Sequence, residues 1–159
     1  MVSDMNIRLD DLSDPATQAL VHLHLEGMHA NSPPSRAFAL GLSALQKPDV
    51  TLWTAWAGEE ILGMGALKRL DPWSGEVKSM RTHPMHLRRG VASALLEQII
   101  QEARARGYIR LSLETGSGAA FEPALTLYRR RGFVDGDPFG DYTRSDFNQF
   151  LHLRIDRLR

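Results

Sequence analysis

The segment His86 to Leu96, HLRRGVASALL, sets two arginines and a glycine ahead of a leucine-rich stretch. A helix N-terminus carries partial positive charge and ordinarily favours Asp or Glu, so Arg88 and Arg89 have the wrong sign for that place unless an anion sits there. Phosphate binding is one chemistry these residues fit, and a solvated basic loop before an ordinary helix is the other reading. A turn at a helix start presents successive backbone N–H groups. Gly90 omits the Cβ that would block a close approach, Val91 opens the helix, and Ala92 keeps the next turn small. No acidic residue lies close in sequence to neutralise the two arginines. A second constellation is His22, Glu26 and His29, at helical spacing on one face. That spacing can ligate zinc, but it equally suits a solvated helix face, and no further ligand stands nearby. No metal is therefore expected.

Positioning these residues requires a strand before the anion turn and a helix after it. EVKSMRTH alternates as a strand does, and Pro84 stops it. Ala92, Leu95, Leu96, Ile99 and Ala103 then make an apolar stripe of helical period, and Gly107 ends the helix. YIRLSLET (Tyr108 to Thr115) follows directly as a strand. Strand, helix, strand over this distance implies a crossover between parallel strands. Upstream, MNIRLDDL reads as an opening strand. Asp14-Pro15 then caps a helix running to about Met28, with Ala16, Ala19, Leu20, Leu23 and Gly27 on one face. RAFALGLSALQ predicts a weaker second helix ended by Pro48. VTLWTAW and ILGMGALKRL predict a hairpin. Downstream, Pro123 opens a helix with Ala124, Leu127 and Tyr128 on one face and Gly132 at its end. A short strand, a turn-rich loop from Gly136 to Phe147, and a closing strand FNQFLHLRI complete an α/β order.

The 159 residues suit a single domain spanning 1–159. Lys plus Arg equals Asp plus Glu, at 19 each. That balance, with no clear helix-turn-helix, speaks against nucleic acid as the partner. The absence of cysteine rules out disulfides, thiolate metal sites and a cysteine nucleophile. No signal peptide and no membrane-spanning stretch is recognised, so no membrane partner is expected and the cytoplasm is the expected compartment.

Two motifs together resemble the GNAT superfamily of N-acetyltransferases. THPMHLRRGVA is similar to that family's acyl-CoA pyrophosphate motif, with Thr82, Pro84, Gly90 and Ala92 at matching intervals. ALTLYRRRGF is similar to its later helix and strand, with Ala124, Leu127, Tyr128, Gly132 and Phe133 matching. Two departures stand out: Leu87 replaces the family's Arg or Gln before the glycine, and Phe121 replaces a frequent Asn. The wider pattern resembles a bacterial subgroup of the family.

The resemblance implies the GNAT fold. That is a mixed, largely antiparallel sheet of six to seven strands with a central parallel pair splayed around acyl-CoA, flanked by about four helices. It further implies acetyl transfer from acetyl-CoA to an amine by direct attack. Tyr128 would protonate the departing thiolate and Glu76 would act as base, with Glu114 as its rival. Backbone groups of Met80, Arg81 and Thr82 would line the pantetheine arm, with Phe121 nearby, and Arg88, Arg89, Gly90, Val91 and Ala92 would hold the pyrophosphate. His29, Glu114, Asp141 and Tyr142 are the expected pocket residues. The acceptor is a small-molecule amine or a protein amine, and exposed strand edges allow a homodimer. An acyl-CoA-binding sensor on the same fold is the alternative.

Overall fold

The computed structural model describes residues 4–155. Its centre is a seven-stranded sheet in the order β1-β2-β3-β4-β5-β7-β6. The strands are β1 (Met5–Leu9), β2 (Val50–Ala57), β3 (Glu60–Asp71), β4 (Ser74–Thr82), β5 (Arg110–Thr115), β6 (Val134–Asp135) and β7 (Gln149–Arg154). Neighbours pair antiparallel except β4 and β5, which are parallel. Four helices flank the sheet: α1 (Pro15–Asn31), α2 (Leu42–Leu45), α3 (Val91–Ala105) and α4 (Glu122–Arg131). This is the mixed, largely antiparallel architecture expected. Among the described residues no helix is long and apolar enough to cross a membrane.

The two faces of the sheet have separate cores. On one, α3 buries Val91, Leu95, Leu96, Ile99, Ile100 and Ala103 together with Leu125 and Tyr128 of α4 and strand residues such as Leu111, Leu113 and Leu151. On the other, Leu20 and Val21 of α1 and Leu45 of α2 pack on Leu52, Trp56, Met64 and Ala66. β2 and β3 feed both cores because successive side chains point to opposite faces.

Local signals explain where the helices begin. Asp14 Oδ1 accepts the Ala16 N–H at 2.8 Å, and Pro15 takes the first helical position, where no N–H is needed. The buried stripe of α1 differs from the apolar one read in the sequence. Thr17, Leu20, Val21 and His24 face inward, while Ala19 is exposed. Polar partners turn the helix: the hydroxyls of Thr17 and Thr54 both donate to Asp10 Oδ2 at 2.8 Å, so a threonine is satisfied inside. The second helix is much shorter than expected. Pro34–Arg36 form a single 3-10 turn, and Gly41, extended, caps a helix of only four residues. In α4 the inward residues are Leu125 and Tyr128, with Ala124 and Leu127 at the margin.

One irregularity shapes the centre of the sheet. Met64 pairs with Arg81 and Ala66 with Lys78, so Ser79 and Met80 of β4 stand opposite Gly65 alone. Ser79 carries the positive φ of a bulge, +56°. The glycines of β3 accept what this bulge and α3 push toward them. A Cβ on Gly63 would come within 2.8 Å of Val91 Cγ1 and 2.9 Å of the Arg81 carbonyl oxygen. Because the second of these atoms is backbone, Gly63→Ala should destabilise the protein by about 1–3 kcal/mol. Denaturant unfolding of the variant against wild type measures this, and equal midpoints would contradict it.

Candidate active site

The anion turn has the form the sequence predicts. Pro84–His86 make one 3-10 turn capped by His83, whose Nδ1 accepts the Met85 N–H at 3.1 Å. Arg88 and Gly90 then adopt φ of +64° and +80°, and α3 starts at Val91. Gly90 supplies no side-chain cap, and the first turn holds no acidic residue. Ala94 is the first residue to bond back along the helix, to the Gly90 carbonyl at 3.0 Å. The N–H groups of Val91, Ala92 and Ser93 therefore point outward without a helical partner. Exposed Arg88 and Arg89 flank them.

Arg89 is tethered in a way the sequence does not reveal. Its Nη1 lies 3.3 Å from His86 Nδ1, and His86 Nε2 lies 2.8 Å from Glu60 Oε1. A neutral imidazole with its proton on Nε2 satisfies both contacts, donating to Glu60 and accepting from Arg89. The acidic residue missing from the local sequence thus arrives from the start of β3. Leu87 is exposed and contributes no polar group.

Beside this turn the parallel strands part. β4 and β5 pair only from Ser74 opposite Arg110 to Glu76 opposite Ser112. β5 continues to Thr115 against β7, and β4 continues to Thr82 against β3. The edges that face one another beyond Glu76 and Ser112 carry no ladder bonds, leaving a gap lined by backbone polar groups. Within it the Ser79 hydroxyl is buried without a partner. Thr82 ends β4 opposite Gly63. Met80 directs its sulfur toward Gly65, into the α3 face. Arg81 goes the other way, and its Nε donates to His24 Nδ1 at 3.0 Å.

Polar side chains collect on the α1 face of the gap. Glu76 is 3% exposed and accepts from the Tyr142 hydroxyl at 2.6 Å and from Lys78 Nζ at 3.2 Å. Lys78 Nζ also donates to the Tyr142 oxygen at 2.7 Å, closing a three-membered network. The rings of Phe38 and Phe139 clamp Tyr142 edge-on, with centroids 5.2 and 5.1 Å away. Burial, then the charge of Glu76, pushes the Tyr142 phenol well above its ordinary range. Glu114 shares this face, since Leu111 and Leu113 of the same strand point into the opposite core. Its Oε2 is buried without a partner. Burial, opposed by Lys78 and reinforced by Glu76, pushes its carboxyl from 4.5 up to about 7. Burial, with Arg81 and Lys78 adding to it, holds His24 down at about 4 and hence neutral.

Tyr128 belongs to the opposite face. It packs in the α3 core at 5.7 Å from the Phe133 ring, and burial alone raises its phenol above the usual value. Its hydroxyl has no hydrogen-bond partner among the described residues. Phe121 is buried too, edge-on to Phe147 and close against Gly116. The structure thus gathers Glu76, Glu114 and Tyr142 on one side of the gap and sets Tyr128 on the other. His29 and Asp141 are exposed and join no contact of this cluster. Among the described residues no three His, Asp or Glu side chains gather as a metal site. Lys78, His24 and Ser79 were not singled out from the sequence. Lys78 was within reach, two residues from Glu76 and so on the same strand face.

Comparison with known proteins decides the family. The acetyltransferase (GNAT) family model matches residues 17–133. The chain belongs to the GNAT acetyltransferase family. Among its relatives is an uncharacterized N-acetyltransferase of Bacillus subtilis, YsnE, 51% identical over 95% of this chain and 100% of that protein. Another, YedL of Escherichia coli, is likewise an uncharacterized N-acetyltransferase, 50% identical over 94% of each. A GNAT acetyltransferase structure from Elizabethkingia anophelis with acetyl-CoA bound superposes with a TM-score of 0.70. It covers 97% of this chain and 100% of the other at 19% identity. The arrangement of strands around the gap is therefore the GNAT arrangement.

The raised Glu114 carboxyl has a consequence for stability. The folded chain holds this proton more tightly than the unfolded one, so the contribution is full below about 4.5 and is lost as pH rises through about 7. Glu114→Gln removes the titration. Its stability should gain on wild type between about pH 5 and pH 8 in denaturant unfolding. Parallel curves across that range would contradict the assignment.

Proposed function

We propose that this GNAT protein transfers an acetyl group from acetyl-CoA to the amine of a small acceptor. Glu114 is the base and Tyr128 the acid in this reading. The observation that carries it is the buried, partnerless Glu114 oxygen at a gap between diverging strands, on a carboxyl that titrates at about 7. A base is most effective when its pKa lies near the working pH. Glu76 is less suited, because its Oε2 already accepts from both Lys78 and Tyr142. We assign it to hold those two side chains in place.

The residues suit acetyl-CoA in two respects. The uncapped start of α3 with Arg88 and Arg89 would take the pyrophosphate. The unpaired edge of β4 past Glu76 would take the amide groups of the pantetheine arm. When bound there, acetyl-CoA supplies an activated thioester. Glu114 removes a proton from the acceptor ammonium, freeing the nitrogen lone pair for attack. Backbone N–H groups of β4 near the bulge donate to the carbonyl oxygen as it gains charge. The N–C bond forms, the C–S bond breaks, and Tyr128 gives its proton to the departing sulfur. The amine's second proton returns to Tyr128 through solvent, so acetylated amine, CoA thiol and one proton result. Burial keeps Tyr128 protonated until then.

Two measurements test this. Thiol release in a screen of amines should give kcat/KM rising with pH through about 7. Glu114→Gln should lose that limb and about 10²–10⁴ in kcat, and Tyr128→Phe should be slow as well. A wild-type pH profile in Glu114→Gln would remove it as the base. Separately, acetyl-CoA should raise the melting temperature. Arg88→Ala with Arg89→Ala should reduce that shift, and no shift in the wild type at millimolar acetyl-CoA would overturn the whole reading.

A further inference from the structure

Arg81 is a cation whose charge no carboxylate among the described residues balances. Its guanidinium is half-buried between β4 and α1, and burial lowers its pKa with no carboxylate near enough to oppose the shift. Its single hydrogen bond among the described residues runs from Nε to neutral His24. The charged groups near His24 are Arg81 itself and Lys78, both positive. The carboxylate on the same strand face, Glu76, is taken up by Lys78 and Tyr142. A partly desolvated guanidinium with its terminal N–H groups unused is costly unless an anion completes it.

The fold nevertheless makes room for it. A Cβ on Gly27 of α1 would lie 2.8 Å from Arg81 Nη2, so the guanidinium lies flat against helix backbone that only glycine exposes. His24 orients it from one turn earlier. Arg81 stands on β4 past the point where β4 leaves β5, on the sheet face that also carries Glu114.

We infer that the acceptor carries a carboxylate as well as its amine, and that Arg81 holds the carboxylate while the amine faces Glu114. This rests on the transfer reading above and adds the substrate class: amino acids and related amine carboxylates. A bidentate guanidinium–carboxylate pair would fix the acceptor's orientation as well as its affinity.

The test uses two matched panels with acetyl-CoA: α-, β- and γ-amino acids, and the amines that remain when each carboxylate is removed. The amino acids should be acetylated at least about tenfold more efficiently. Arg81→Gln should raise KM for the preferred amino acid by about tenfold or more, with a smaller change in kcat. The ratio of kcat/KM for the amino acids to that for the carboxylate-free amines should fall by a similar factor. Gly27→Ala, which displaces the guanidinium without removing its charge, should raise the same KM. Should Arg81→Gln fail to fold, judged by loss of cooperative unfolding, Gly27→Ala and Arg81→Lys carry the test.

Equal turnover of the two panels would overturn the inference and leave the transfer reading standing, as would an Arg81→Gln enzyme with unchanged preference. A preference for malonyl- or succinyl-CoA over acetyl-CoA would put the anion on the donor and overturn it too. Transfer to neither panel, with acetyl-CoA still raising the melting temperature, would overturn the small-amine reading and this inference with it.

Discussion

The parting of β4 from β5 after three paired residues is the constraint on which the site depends. Two parallel strands in a sheet interior would ordinarily satisfy each other's backbone groups along their shared length. Here each strand is instead committed to its outer neighbour. β5 keeps six register pairs with β7, and β4 keeps its ladder with β3 to the last residue, across a bulge. The bulge at Ser79 and Met80 lies just past the last pair with β5, and a bulge raises the local twist of its strand. The result is an opening in the middle of the sheet, lined by unspent backbone donors and acceptors. Glu114 lies on one face of the sheet beside it, and Tyr128 packs in the core on the other face.

The charges around the opening are unequal by design of the packing. Glu76 and Glu114 sit on adjacent strands of one face, and Lys78 is the cation nearest both. Two carboxylates competing for one ammonium cannot be satisfied equally. Glu76 takes the ammonium and the Tyr142 hydroxyl, and for Glu114 burial outweighs the opposing pull of Lys78 and Asn148. The same network therefore fixes one carboxyl as an anchor and leaves its neighbour ready to accept a proton near neutrality. Tyr142 belongs to the long loop before β7, so the packing of Phe38 and Phe139 around it bears on the protonation of Glu114.

What the sequence made legible was what neighbouring residues decide together. The Asp14-Pro15 cap, the stripe of α3, Gly90 before it and Gly132 after α4 are local signals, and the structure carries them as read. Element order and two spaced motifs were enough for the family and its fold. The less legible parts are those in which distant residues overrule local pattern. Thr17 faces inward because Asp10 meets it, turning α1 away from its apolar stripe. Gly41, extended at the N-cap of α2, lets the helix that the surrounding leucines favour begin only at Leu42. Glu76 reads as a strand-end carboxylate, yet Tyr142, 66 residues later, donates to it. Arg89 looked unpaired until Glu60 reached it through His86.

These long-range ties converge on β3, which sets the distance between the anion turn and the opening. Glu60, its first residue, anchors the turn through His86. Two residues on, the Leu62 carbonyl accepts the His83 N–H at 2.8 Å, fixing where β4 ends and the turn begins. Gly63 admits Val91, so the first turn of α3 rests directly on the strand. Gly65 then stands opposite the bulge and receives the Met80 sulfur. Within six consecutive residues one strand touches the anion turn, the helix start and the bulge in order. A rigid strand holds such spacings better than loops can. A cosubstrate whose pyrophosphate and thioester lie far apart requires this kind of ruler, because a shift at one end would misplace the reacting carbon at the other.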